Sequence, residues 1–231
     1  MTYLFTSESV SEGHPDKLCD YISDSILDAC LSVDKRARVA VETMVKGTDE
    51  RSHIIVGGEV TLSQDANIDY GAIARMAAAE IGYTDHAFGM DALNTELCEV
   101  LVLISQQSTD ISQGVDKGKG LHLEQGAGDQ GMMFGYASDE SEEFSLLEGS
   151  FMPLPAALAQ RLTLELSRAR NEGSLPWARP DAKSQVTVEY DDNGTPLRLE
   201  TVVIAVQHDD LAHVQFDGDI DMERARIVAD I

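Results

Sequence analysis

The sequence predicts an α+β protein, with pseudo-repeated domains whose helices pack on one face of mostly antiparallel sheets. Two observations support this fold class. Segments with apolar residues every three to four positions, as in helices, are interspersed with segments that alternate apolar and polar residues, as half-buried strands do. In addition, an Asn-Gly pair at 193–194 separates two alternating runs, which is a strong signal for a β-hairpin.

The first half of the chain contains two predicted helices and three predicted strands. Residues 15–31 form a helix, because Leu18 and Ile22 begin an apolar series at four-residue spacing, after a proline that suits the first helical turn. The other predicted elements of this half are the strands 38–46, 53–62 and 97–104 and the alanine-rich helix 69–81.

The second half repeats this mixture of elements. A helix over 155–171 begins at Pro155 and ends before Gly173. The hairpin that follows is formed by the strands 184–190 and 196–207, and a helix begins at 221.

Between the halves, residues 105–131 are polar and rich in glycine, and a loop of this length inside a compact chain is usually functional or disordered. We therefore predict an N-terminal domain over 1–106, a mobile active-site loop or linker over 107–125, and a central domain over 126–231 whose extent is left open.

Charge and cysteine content exclude several classes of partner. With 17 basic and 41 acidic residues the net charge is −24, which disfavours binding to nucleic acid or anionic membranes. Three cysteines without CxxC spacing indicate a reducing compartment. The N-terminus lacks a signal-peptide pattern, and the apolar runs are too short to span a membrane. We expect a cytoplasmic protein.

A polar cluster immediately precedes the first helix. His14, Asp16 and Lys17 lie at a helix start, where free N–H groups and the helix dipole attract anions. His14 and Lys17 can donate to phosphate oxygens, and Asp16 can hold Mg²⁺. The alternative is a helix cap with solvated charges.

A second candidate pair, Asp181 and Lys183, follows two prolines that favour an extended entry to a strand. Both side chains are expected on the same side of that strand. They fit a nucleotide contact, and equally a surface ion pair.

The glycine-rich segment 126–131 matches the pattern G-x-G-x-x-G. Its flanks do not supply the strand and helix that a dinucleotide site requires. Two interpretations remain: a flexible loop, or a backbone cradle for a ligand.

Taken together and in order, these segments resemble the S-adenosylmethionine synthetase (methionine adenosyltransferase) family from residue 3 to about 208. The segments that carry the resemblance are 7–17, 56–59, 107–115, 126–137 and 175–185. The resemblance implies synthesis of S-adenosylmethionine from ATP and L-methionine, with release and hydrolysis of triphosphate. It also implies a homodimer or homotetramer with active sites at the subunit interface.

The resemblance also assigns roles to individual positions. It implies catalytic roles for His14, Lys183 and Asp129, the last as an active-site acid of less defined function. It implies that ATP is contacted by His14, Lys17, Ile111, Ser112, Gln113, Asp181, Ala182 and Lys183. Methionine would be contacted by Glu59 and Gln107, Mg²⁺ by Asp16 and K⁺ by Glu42.

Family members continue into a third domain that supplies further triphosphate-binding residues, and we expect this chain to correspond to the first two. The alternative interpretation is therefore a non-catalytic relative that folds and dimerises without those residues.

Overall fold

The computed structural model describes residues 1–62, 66–106, 132, 134–209 and 219–230, with the side chain of residue 223 excepted. This part of the chain forms two three-stranded sheets, a two-stranded ribbon and four α-helices. The α+β class is confirmed. None of the helices in the described ranges is long and apolar enough to cross a membrane.

The first sheet has the strand order β2-β3-β6 and carries two helices. Its elements, with the helices that pack on it, are β2 (Arg38–Gly47), β3 (Ser52–Thr61), β6 (Cys98–Ser105), α1 (Pro15–Val33) and α2 (Tyr70–Ile81). β2 and β3 are antiparallel, whereas β3 and β6 are parallel. The parallel pair needs a crossover connection, which contains α2 and a short ribbon of β4 (Thr84–Asp85) and β5 (Met90–Asp91).

The second sheet has the order β1-β7-β8 and is antiparallel throughout. It consists of β1 (Tyr3–Val10), β7 (Ala178–Tyr190) and β8 (Pro196–His208), covered by α3 (Leu154–Asn171). A last helix, α4 (Ile220–Asp230), lies against the start of β7. Its Ile227 packs on the cluster around Trp177, and its Asp230 accepts a 2.8 Å hydrogen bond from the Trp177 indole.

The predicted helices and strands are confirmed to within a few residues, apart from β7, which begins six residues before the predicted strand. The sequence analysis missed β1, whose segment precedes the first helix and gives no sign of its partner. β1 pairs with β7 from Tyr3↔Tyr190 to Val10↔Lys183, so the beginning of the chain belongs to the sheet of the second half.

Separate apolar cores stabilise the two sheets. The first buries Leu18, Ile22 and Ile26 of α1 against Ile54 and Val56 of β3, and these side chains are almost fully inaccessible to solvent. The second packs α3 on alternate residues of β7, including Val186 and Val188. Only the segment 11–14 separates the end of β1 from the start of α1. This segment therefore crosses directly from one core to the other.

Candidate active site

The crossing segment is tied to β7 by Ser11. The Ser11 hydroxyl donates to the Pro180 carbonyl at 2.7 Å and accepts from the Ala182 amide at 2.8 Å, while the Ser11 amide donates to the Ala182 carbonyl at 2.9 Å. Ser11 is 3% exposed, so these bonds are shielded from water. They continue the β1–β7 pairing after β1 has ended and fix the start of α1 beside Asp181.

Gly13 occupies the tightest point of this segment. A Cβ at this position would lie 2.5 Å from both the carbonyl carbon and the oxygen of Pro180, so a larger residue has no room. From the other side, the buried hydroxyl of Tyr83 donates a hydrogen bond to the Gly13 carbonyl. Burial, together with the negative charge of Asp181, raises the pKa of Tyr83 above its ordinary value, which keeps the hydroxyl protonated as a donor.

His14 caps α1 through its side chain. Its backbone is extended (φ −62°, ψ 138°), and Nδ1 accepts a 3.2 Å hydrogen bond from the Asp16 amide. A neutral imidazole that accepts at Nδ1 carries its proton on Nε2. The side chain is 12% exposed, so His14 presents an Nε2–H donor in a largely shielded position at a helix N-terminus.

Asp16 and Lys17 differ sharply in their surroundings. The Asp16 side chain is 91% exposed, with Oδ2 3.9 Å from His14 Nδ1, and is accessible to a metal ion. The Lys17 ammonium donates to the Val10 carbonyl at 2.6 Å, which places its charge beside the end of β1. The cap alternative is confirmed, because His14 Nδ1 caps α1, while the anion-binding role of His14 and Lys17 stays a prediction.

Among the charged groups near the start of α1, Asp181 is chemically unusual. Its Oδ1 is buried and has no hydrogen-bond partner among the described residues. Burial raises its pKa above the ordinary value, and the opposing effects of nearby His14 and Lys183 offset only a part of this shift. An unpaired buried acceptor is costly, and a ligand that brings a donor would remove that cost.

Asp181 and Lys183 occupy alternate positions of β7 on the face that α3 does not cover, as expected from the sequence. The intervening Ala182 is buried, and both its backbone groups bond to Ser11, so in this arrangement it holds the loop. Its predicted ATP contact stays a prediction.

A recess of about 180 Å³ lies next to Asp181, between α1 and the strands β2 and β7. It is lined by Pro15, Tyr83, Phe88, Asp181 and Gln207, among others. Gln207 donates to the Phe88 carbonyl at 2.9 Å, but its Oε1 is a second buried acceptor without a partner in the described part of the chain. The sequence analysis missed Gln207, because nothing in a strand-end glutamine shows which side chains it meets.

The predicted methionine and K⁺ residues lie elsewhere. Glu42 is opposite Gly57 and Glu59 is opposite Ala40 across β2 and β3, so the two carboxylates are diagonal neighbours on one face of the sheet. That face is opposite the one on which α1 packs, since the buried residues Ile54 and Val56 point the other way. Within a single chain, they are thus separated from His14 by the sheet.

Five predicted site residues lie outside the described residues. They are Gln107, Ile111, Ser112, Gln113 and Asp129, and the predicted mobile loop 107–125 lies there as well.

No group of three or more histidine, cysteine or carboxylate side chains that could hold a metal occurs in the described ranges. Mg²⁺ in nucleotide enzymes, however, is commonly held by one or two carboxylates together with substrate phosphates. The exposed Asp16 fits that mode, and Glu42 offers a single hard oxygen ligand on the open sheet face.

Replacing Asp181 with Asn is expected to stabilise the fold while weakening ligand binding. Because the folded-state pKa of Asp181 is raised, its proton stabilises the fold below the unfolded-state pKa, and this contribution is lost as the pH rises through the folded-state pKa. The variant should therefore melt above wild type at neutral pH. The difference should shrink as the pH approaches about 4, the ordinary aspartate value. Thermal unfolding between pH 4 and 7.5 measures it, and a lower melting temperature at neutral pH would contradict the assigned burial cost.

The fold and the cluster define an α+β protein whose helix N-terminus, with a histidine donor and an exposed carboxylate, meets a strand that carries an aspartate and a lysine. Comparison with known families gives two matches: the model for the S-adenosylmethionine synthetase N-terminal domain fits residues 2–109, and that for the central domain fits residues 124–230. The chain belongs to the S-adenosylmethionine synthetase family.

Curated relatives agree with this assignment. The S-adenosylmethionine synthase of Sorangium cellulosum is 51% identical over 206 residues, covering 89% of this chain and 45% of the relative. That of Akkermansia muciniphila is 49% identical over 216 residues, covering 91% of this chain and 51% of the relative. The chain thus spans about half the length of these relatives.

Proposed function

We propose that this chain contributes the nucleotide-binding part of a methionine adenosyltransferase, which makes S-adenosylmethionine from ATP and L-methionine. The observation that carries the proposal is the convergence of a helix-capping histidine, an exposed carboxylate and the unpaired Asp181 at one junction. Family membership supports the reaction class.

In this proposal the phosphates lie at the N-terminus of α1. Nε2 of His14 donates to a phosphate oxygen, and the Lys183 ammonium adds positive charge from β7. Asp16 holds Mg²⁺, which when bound neutralises charge on the triphosphate. Asp181 accepts a hydrogen bond from a donor on the nucleoside, such as a ribose hydroxyl, and thereby satisfies its buried oxygen.

The proposed reaction needs no general base. The neutral thioether sulfur of methionine attacks C5′ of ATP, a sulfur–carbon bond forms, and the bond from C5′ to the triphosphate oxygen breaks. No proton has to leave the nucleophile. The protein must align the three atoms and stabilise the charge of the leaving group, which are the tasks that positioned donors and a metal perform.

The proposed methionine and K⁺ residues require a second chain at the open sheet face. Glu42 and Glu59 lie on that face among exposed apolar side chains, including Met44 (57% exposed) and Leu103 (59%). An apolar sheet face of this kind is typical of an interface. We therefore include a homodimer or homotetramer in the proposal, with Glu42 and Glu59 of one chain approaching the nucleotide site of another.

Asp16→Asn tests the proposal. We expect it to reduce Mg²⁺-dependent ATP affinity by roughly tenfold or more, because a charged metal ligand becomes neutral. Affinity for ATP in the presence of a chelator should change little. The matched control is Asp20→Asn, which removes an exposed carboxylate one turn further along α1.

Isothermal titration of Mg·ATP into the three proteins provides the measurement. If Asp16→Asn binds Mg·ATP as wild type does, Asp16 is not the metal ligand.

A further inference from the structure

Arg170, near the end of α3, contacts two separate parts of the fold with one terminal nitrogen. Its Nη2 donates to Glu12 Oε1 at 2.6 Å and to the carbonyl of Ile81, the last residue of α2, at 2.8 Å. The Arg170 side chain is 14% exposed and Glu12 is 37% exposed. Because both N–H groups of one nitrogen are in use and the arginine itself is largely shielded, the contact is geometrically well defined.

The Arg170 guanidinium lies close against the C-terminal cap of α2. Gly82 caps α2 with φ 114°, and a Cβ there would lie 2.7 Å from Nη1 of Arg170. The neighbouring Asn171 adds a 3.1 Å hydrogen bond from Nδ2 to the same oxygen of Glu12. The guanidinium therefore bonds to α2 and to the segment before α1 at once, and so ties both to α3.

Glu12 is the residue between Ser11, which is tied to β7, and Gly13, which is tied to Tyr83. His14 follows immediately. The Arg170–Glu12 pair is thus the third attachment of the segment that presents His14 and Asp16, and it comes from the second half of the chain.

We infer that Arg170 is a positioning residue for the nucleotide site: through Glu12 it fixes the segment that carries His14 and Asp16. This inference rests on the proposed function for its effect on ATP, but its effect on the segment does not depend on that function. Arg170 itself is not placed in contact with the nucleotide.

The test compares Arg170→Met with Arg168→Met. Arg168 lies in the same last turn of α3 and pairs with Glu172 at 2.8 Å, but it is 66% exposed and contacts neither Glu12 nor α2 through any described bond. Arg170→Lys serves as the conservative variant, because an ammonium keeps the charge without the fork of donors. Thermal unfolding confirms that each variant is folded before comparison.

The first readout is hydrogen exchange at the amides of His14, Asp16 and Leu18, which bond to Ser11 O, His14 Nδ1 and His14 O respectively. We expect Arg170→Met to accelerate exchange there by about tenfold or more, Arg170→Lys to lie in between, and Arg168→Met to match wild type. Equal exchange at these amides in Arg170→Met and Arg168→Met overturns the inference.

The second readout is Mg·ATP affinity. We expect a loss of roughly tenfold to a hundredfold in Arg170→Met, none in Arg168→Met and partial recovery in Arg170→Lys. Unchanged affinity in a folded Arg170→Met also overturns the inference. If wild type itself does not bind Mg·ATP while the exchange pattern is as expected, the proposed function fails and the positioning of the segment stands.

Discussion

Gly13→Ala should be among the most damaging single substitutions in this chain. The added methyl would overlap the carbonyl carbon and oxygen of Pro180, which are backbone atoms of β7, and that carbonyl is held by its hydrogen bond from the Ser11 hydroxyl. Overpacking against a fixed backbone costs about 2–3 kcal/mol or more, which lowers the melting temperature of a protein of this size by roughly 5–10 °C. The displaced segment would also carry His14 away from Asp181, so Mg·ATP affinity should fall with stability.

Gly57→Ala is the matched control for this prediction. Gly57 lies inside β3, and a Cβ there would come no closer than 3.9 Å to another group, the Leu103 carbonyl. Thermal unfolding of both variants separates steric overlap from the general cost of replacing a strand glycine. If Gly13→Ala had the same melting temperature as Gly57→Ala, the crossing segment would have to adjust freely to the added methyl.

His14→Asn should separate the two roles of His14. Asparagine is a good N-cap, so the helix keeps its cap and the melting temperature should change little. The substitution removes the Nε2–H donor that we propose binds a phosphate oxygen. Since a hydrogen bond to a charged group contributes about 1.5–3 kcal/mol, Mg·ATP affinity should fall by roughly tenfold to a hundredfold.

The control for His14→Asn is His53→Asn. His53 is 36% exposed and pairs with Glu99 at 3.3 Å, away from the α1 N-terminus. It should bind Mg·ATP as wild type does. If His14→Asn binds as tightly as His53→Asn, His14 serves as a helix cap alone.

Local pattern was sufficient to predict most elements of the fold, because α1 and β2 show their buried faces as regular apolar spacing. It was not sufficient for β1. That strand lies at a sheet edge, and Tyr3 and Phe5, two of its apolar residues, remain about half exposed. Its partner, β7, is more than 170 residues away in the chain, and pairing over such a distance leaves no local signal.

The residues of the candidate site were also predictable only in part. His14 and Asp16 were recognisable because a helix start is visible in sequence, and Asp181 with Lys183 because alternation places them on one side of a strand. Gln207 and Arg170 were not predicted, since their importance comes from what they meet in the folded chain: Gln207 the recess beside Asp181, and Arg170 both Glu12 and the end of α2.

Mapping where Mg·ATP binds tests the central claim most directly. A larger concavity of about 650 Å³, lined by Ser11, Glu12 and Lys17 as well as by Gln160, Thr163 and Ser167 of α3, offers a competing location, and its lining does not include His14, Asp16, Asp181 or Lys183. In an amide-resolved NMR titration, we predict that Mg·ATP, and Mg·triphosphate alone, shift the signals of His14 and Asp16 most, with Mg·ATP also shifting 181–183. Largest shifts along residues 160–167, or none at His14 and Asp16, would contradict the proposed location.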